Sequence, residues 1–266
     1  MNSSQESAVR SQESGVRSRD WLRQGLALLA GALLLVLVCL LAVAGGAVFG
    51  LLEARSQEPE AFVAGGAIAP DGRTEVVCDL PEVLRLKNTA GRDGAGLCVP
   101  TSMEQAGRFQ NVAALVGLQQ WMTSQPGGAD PAKVDQIMKQ FAPQVDYLQH
   151  TDGDEKFLKA ALATGRMVCV TYAGHCPRYG TSATIAHMVN LVYLDDAQAC
   201  ILDNNFTAQY LWMSAAEFVA RWKGIQPNGQ PYLMRDRLGR SIPIGGGWAI
   251  VFTAPAPPPP PRIRSQ

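Results

Sequence analysis

Cys98 stands in Gly96-Leu97-Cys98-Val99-Pro100-Thr101-Ser102, just before a stretch of helical character. Far downstream, Ala186-His187-Met188-Val189-Asn190-Leu191-Val192-Tyr193 reads as a strand that opens on a histidine. A second strand follows and ends in Asp203-Asn204-Asn205. Thiol, distant histidine, then an acid or amide is the chain order of a cysteine-hydrolase triad. The thiolate is the nucleophile, and a helix N-terminus favours negative charge, so this position lowers a thiol pKa. The histidine acts as base, and the third group orients its ring. That third group is left open between Asp203 and Asn204, because neighbours along a strand face opposite ways. A four-residue turn at 195–198 puts Asn204 on the His187 face. A bulge, or a loop of three or five residues, puts Asp203 there. Each residue also has a bland reading. A cysteine at a helix start is often a small buried residue, and His187 can be a core histidine bonded to backbone. The matching strand favours chemistry, and the other two histidines, His150 and His175, sit in loop-like sequence.

The elements that must position these residues are helices first and strands second, the pattern of an α+β domain. Pro100 just inside the start of 100–110 suits the first helical turn. Asn111 can cap a helix over 112–122, which carries Leu115, Leu118 and Met122 at helical spacing. After Gly127-Gly128, Asp130-Pro131 opens a third helix with Val134, Ile137, Met138 and Phe141 on one face. A fourth spans 154–164 and ends at Gly165. Strands are expected over 167–172, 187–194, 199–203 and 248–253, with Asp195-Asp196-Ala197-Gln198 as a hairpin turn. Asp195 and Asp196 read as turn residues rather than metal ligands, and the tryptophans as packing residues.

In this setting Cys98-Val99-Pro100-Thr101-Ser102 resembles the Cys-x-Pro-Thr-Ser start of the double-glycine (bacteriocin-leader) peptidases, a papain-like family. The downstream order is similar to that family too, and Asp203 follows His187 by sixteen residues (203 − 187 = 16), as the acid does there. The resemblance covers about 97–205. It implies a papain-like fold, a catalytic set of Cys98, His187 and Asp203, a peptide or protein substrate, and no metal or organic cofactor. The family also carries a glutamine shortly before the cysteine, whose amide stabilises the oxyanion. Residues 88–97 contain no glutamine, and Asn88 is the one side-chain amide there. Two other readings stand beside catalysis by a peptidase. One is a silent peptide-binding module of the same fold. The other is different thiol chemistry with the same residue order, transglutaminase-like or a cell-wall amidase.

Lys+Arg and Asp+Glu each number 23 in 266 residues, so no basic face points to nucleic acid. Charged residues are 17% of the chain, and the shortfall is local. Residues 25–52 contain no charge and are dense in Leu, Ala and Val. That run exceeds the ~20 residues needed to cross a bilayer, and it reads as an uncleaved anchor. A signal peptide cleaved after Ala44 is the alternative. Arg10, Arg17, Arg19 and Arg23 precede the span and only Arg55 follows closely, so the domain is expected outside the cytoplasm. Residues 1–24 read as a disordered cytoplasmic tail, 53–73 as a linker, 74–253 as the working domain and 254–266 as a stiff Pro-rich tail. In an oxidising compartment, Cys78, Cys169, Cys176 and Cys200 allow three disulfide pairings, with Cys169–Cys176 the local one. Alternatively Cys169 and Cys200 are small buried hydrophobes. No Cys-x-x-Cys spacing supports zinc.

Overall fold

A computed structural model of the chain describes residues 63–175, 184–236 and 238–255. They all belong to the second of two compact units, Glu58–Gln266. The segment 25–52 expected to be an anchor lies outside the described residues. Among the described residues no helix is long and apolar enough to cross a membrane.

The described unit is an α+β domain. The strands are β1 (Val63–Gly65), β2 (Tyr147–His150), β3 (Val168–His175), β4 (Thr184–Leu194), β5 (Gln198–Leu202), β6 (Tyr210–Ser214), β7 (Leu233–Arg235), β8 (Ser241–Pro243) and β9 (Ala249–Phe252). The helices are α1 (Cys98–Phe109), α2 (Leu118–Met122), α3 (Pro131–Phe141), α4 (Glu155–Ala163) and α5 (Ala215–Lys223). Seven strands form one antiparallel sheet in the order β1-β6-β5-β4-β3-β9-β2, and β7 and β8 form a separate hairpin. The core is continuous across the sheet. Val168, Val170, Val189, Leu191, Ile201 and Ile250 are fully buried in it, as are Met103 and Leu118 from the helices.

Local signals account for much of this. Asp130 accepts the Lys133 backbone N–H at 2.8 Å and caps α3, with Pro131 as its first residue. Asp154 caps α4 in the same way. Ser214 accepts the Glu217 N–H at 3.1 Å, so a Ser-x-x-Glu cap starts α5, an element the sequence reading left unassigned.

Several expectations are corrected. Residues 112–122 are not one helix. Asn111 adopts a left-handed φ of 57° and ends the α1 turn instead of capping a new helix. A short 3-10 turn follows at Ala113–Leu115, and Gly117 (φ 90°) starts α2. The buried Glu104 carboxylate accepts the N–H groups of Gly117 and Gln119 and pairs with Arg108, which holds that break in place. The 53–73 linker is not wholly a tether, since Val63–Gly65 pairs with β6 as the sheet edge. The disulfide expectation also changes. Cys78, Cys169 and Cys200 are buried free thiols, and Cys176 lies outside the described residues. Burial pushes the Cys78 thiol up to about 12 and the other two upward as well, so all three behave as small core residues.

Candidate active site

The site forms where the sheet opens. β4 runs from residue 184, but its partner β5 pairs with it only as far as Asn190↔Leu202. Beyond that point the β5 side of β4 is vacant, and the N-terminus of α1 fills the gap. Polar side chains lock the helix there. Ser102 Oγ donates to the Met188 carbonyl at 3.0 Å, Gln105 Nε2 to Asn190 Oδ1 at 2.9 Å, and Asn190 Nδ2 to the Ser102 carbonyl at 2.9 Å. These groups are buried, so each satisfied bond avoids a desolvation cost and fixes one register of helix on strand.

The chain before Cys98 doubles back as a tight hairpin. Ala90 bridges to Gly96, and the Leu97 N–H is shared between the Thr89 carbonyl (3.0 Å) and Asn88 Oδ1 (3.1 Å). Asn88 is ten residues from Cys98 in sequence, yet it lies beside it in the cleft. The hairpin rests on Gly127, where any Cβ would run into the Ala95 carbonyl. Gly128 donates to the Gly96 carbonyl at 2.9 Å. The Lys133 ammonium donates to the carbonyls of Pro126, Gly127 and Gly128 and holds that loop closed.

His187 Nε2 lies 2.8 Å from Asp203 Oδ1, and both side chains are almost wholly buried. The choice between Asp203 and Asn204 is made by a bulge. The 195–198 turn forms, with Asp195 accepting the N–H groups of Ala197 and Gln198. By itself it would send Asn204 to the His187 face. The β4–β5 register then shifts between Leu191 and Tyr193, which moves Asp203 onto that face. The Val192 carbonyl at the bulge accepts the N–H groups of Val77 and Cys78. Asn204 points the other way. Its Nδ2 donates to Ser102 Oγ, to the Met188 carbonyl and to the Cys98 carbonyl, so it bolts α1 to β4.

His187 Nδ1 is buried with no hydrogen bond of good geometry, and the Cys98 thiol is coupled to the His187 ring by side-chain hydrogen bonding and by charge. Burial opposes a thiolate at Cys98. The His187 ring, aided by the Met188 and Val99 N–H groups, outweighs it and holds the thiol below its ordinary 9.0. Burial likewise opposes an imidazolium at His187. The Asp203 charge and hydrogen bond, with Cys98, raise the ring to about 10. Opposite shifts on interacting groups move the pair toward the thiolate–imidazolium form. The first turn of α1 also leaves the Cys98 and Val99 N–H groups without intrahelical acceptors.

Cys98 is half-buried at the floor of a cleft of about 1430 Å³. One wall is Gly94–Gly96 with Gly128–Ala129. The other carries Trp248 and the β7 strand. Of the residues singled out in the sequence, Cys98, His187, Asp203 and Asn88 meet in the cleft region, and Asn204 lies behind it. Asn205 was not singled out. Its Nδ2 lies 3.3 Å from His187 Nε2, and its Oδ1 accepts from Asn88 Nδ2 at 3.2 Å. No local signal marks it, because its role depends on the hairpin that returns Asn88. Compared with known proteins, the chain matches no family model and has no significantly similar curated relative.

Proposed function

We propose that this chain is a thiol hydrolase with a papain-like arrangement, a cysteine peptidase or peptidase-like enzyme. The observation that carries the reading is the pairing in one cleft of Cys98, at a helix N-terminus, with a buried His187–Asp203 couple that shifts the two pKa values in opposite directions. In the proposed reaction Cys98 Sγ attacks the acyl carbon and the Nδ1 proton of His187 passes to the leaving amine. A water molecule then gives its proton back to Nδ1 as it attacks the thioester, which releases the acid and restores the thiolate. Asp203 keeps the ring oriented throughout. The Cys98 N–H supplies one oxyanion donor, and the Asn88 amide, with one hydrogen held by Asn205, is the side-chain candidate for the second. The substrate is a peptide or protein chain lying along the cleft. Residues 25–52 anchor the domain outside the cytoplasm in this reading.

The test is site-resolved alkylation of the full-length protein against pH. Cys98 is expected to be the fastest thiol, with an apparent pKa below its ordinary 9.0, and His187→Ala is expected to raise it. An ordinary pKa at Cys98 overturns the nucleophile role. One observation favours the silent binding module instead: one hydrogen of the Asn88 amide is already committed to Asn205. A Cys98 that alkylates readily but never forms an acyl-enzyme with peptide esters supports that module. An acyl-enzyme captured with amine acceptors but not water supports the acyl-transfer alternative. A C-terminal reporter active only in the cytoplasm refutes the placement.

A further inference from the structure

Two side-chain amides, Asn88 and Asn205, and the Asp203 carboxylate form a chain of contacts on the far side of the His187 ring, and their orientations are not independent. The Leu97 N–H can only donate, so Asn88 must present Oδ1 to it, at 3.1 Å. Asn88 then presents its NH2 group to Asn205 and donates to Asn205 Oδ1 at 3.2 Å. Asn205 must therefore turn its own NH2 group toward His187 Nε2, at 3.3 Å. Asp203 Oδ1 is 2.8 Å from the same nitrogen and also accepts the Asn205 backbone N–H at 2.8 Å. A carboxylate on Nε2 favours a proton there. An amide N–H on Nε2 favours a bare lone pair.

We propose that Asn205 is a positioning residue that opposes Asp203 for the Nε2 proton of His187, with its amide locked in the donating sense from the loop before Cys98 through Asn88. The inference rests on the hydrolase reading of Cys98 and His187. It gives that site a reason to carry two polar partners on one ring nitrogen. Asp203 alone would hold the imidazolium so firmly that the ring would part with its proton reluctantly. A competing donor makes the imidazolium a better acid toward the leaving group and a weaker trap for the proton. The lock also ties the ring, through Asn88, to the Leu97 N–H just before α1.

Among the described residues, the charged and titratable groups around the ring are few. Cys98 faces it from α1, and Asp203 from the end of β5. Tyr172 lies opposite it on β3, with the Arg221 guanidinium of α5 over the Tyr172 ring. Lys87, Asp130, Arg235 and Asp236 stand on the cleft walls. None of these changes when a neutral amide is replaced.

The experiment is 15N-histidine NMR of the full-length protein across pH. His187 is assigned by its loss in His187→Ala, since the chain holds only three histidines. Asn205→Ala removes the competing donor and is expected to raise the His187 pKa by about half to one unit, the worth of one hydrogen bond. Asn88→Ala leaves Asn205 in place but removes the donor to its Oδ1, which weakens the donating orientation toward Nε2, and it should raise the pKa in the same direction. A merely structural role predicts the opposite. A loosened ring loses Asp203, and its pKa falls. A fall or no change in Asn205→Ala overturns the proposal. If Asn205→Ala does not fold, the sign of the Asn88→Ala shift decides in the same way. The alkylation pKa of Cys98 in the wild type is measured alongside. An ordinary value there sinks the hydrolase reading, whereas a low value with a flat His187 response sinks only the role of Asn205.

Discussion

The bulge between Leu191 and Tyr193 decides which side chain meets His187, and paired variants of Asp203 and Asn204 test it. Asp203→Asn keeps the shape of the side chain and removes its charge. His187 is 3% exposed. With the carboxylate gone, burial is no longer outweighed, and the ring pKa falls from about 10 toward or below the ordinary 6.5. At pH 7 the ring is then largely neutral, and Cys98 loses the cation that holds it under 9.0. A thiol at 9.0 or above is thiolate in about one molecule in a hundred at pH 7. The ratio of alkylation rate at pH 7 to that at pH 10 should therefore drop below the wild-type ratio, to about 0.01 or less. Asn204→Ala should do something different. It removes the donor that serves the Cys98 and Met188 carbonyls and Ser102 Oγ, with a cost of roughly 2–4 kcal/mol in stability. That should lower Tm by roughly 5–15 °C for a domain of this size, while the rate ratio stays near wild type. Stopped-flow alkylation and a thermal melt on both variants suffice. If Asn204→Ala collapses the ratio and Asp203→Asn leaves it intact, the register is wrong and so is the assignment of the triad.

Other outcomes follow from single contacts. Glu104→Ala should destabilise the domain by about 2–3 kcal/mol in denaturant unfolding, since the buried carboxylate serves Gly117, Gln119 and Arg108. Gly127→Ala forces a methyl group against the Ala95 carbonyl and should cost about 1–3 kcal/mol. It should also slow Cys98 alkylation by displacing the 93–96 turn, and an unchanged rate would separate that loop from the site. Stability should fall in alkaline solution. The His187 pKa is raised on folding, so its contribution is complete below 6.5 and is lost as pH rises through about 10. In His187→Ala this alkaline loss should be smaller, as read by urea midpoints at pH 7 and 10.

The chain by itself determined the chemistry on offer and the local elements that carry it. Helix starts were legible because a cap needs only one side chain and a backbone N–H two or three residues away, as at Asp130 and Asp154. The strands expected over 167–172, 187–194, 199–203 and 248–253 were legible because a buried strand is a short apolar run, although β3 and β4 extend to 175 and back to 184 beyond those runs. The edge strands β1 and β2 and the hairpin β7–β8 were not. Their residues are mostly half-buried or exposed, and partners about a hundred residues or more away define β1 and β2. The α5 cap is written plainly in Ser214-Ala215-Ala216-Glu217. The site divides in the same way. Cysteine at a helix start and histidine on a strand are properties of short segments. Asp203 over Asn204 is a question of register, and one extra residue in a ladder reverses every side chain beyond it. The stabilisation of that bulge comes from Val77 and Cys78, which lie more than a hundred residues upstream. Asn205 reaches the ring, and Asn88 reaches Asn205, only because distant segments of the chain are brought together. Such placements are fixed by the summed packing of distant elements, and no window of sequence contains that sum.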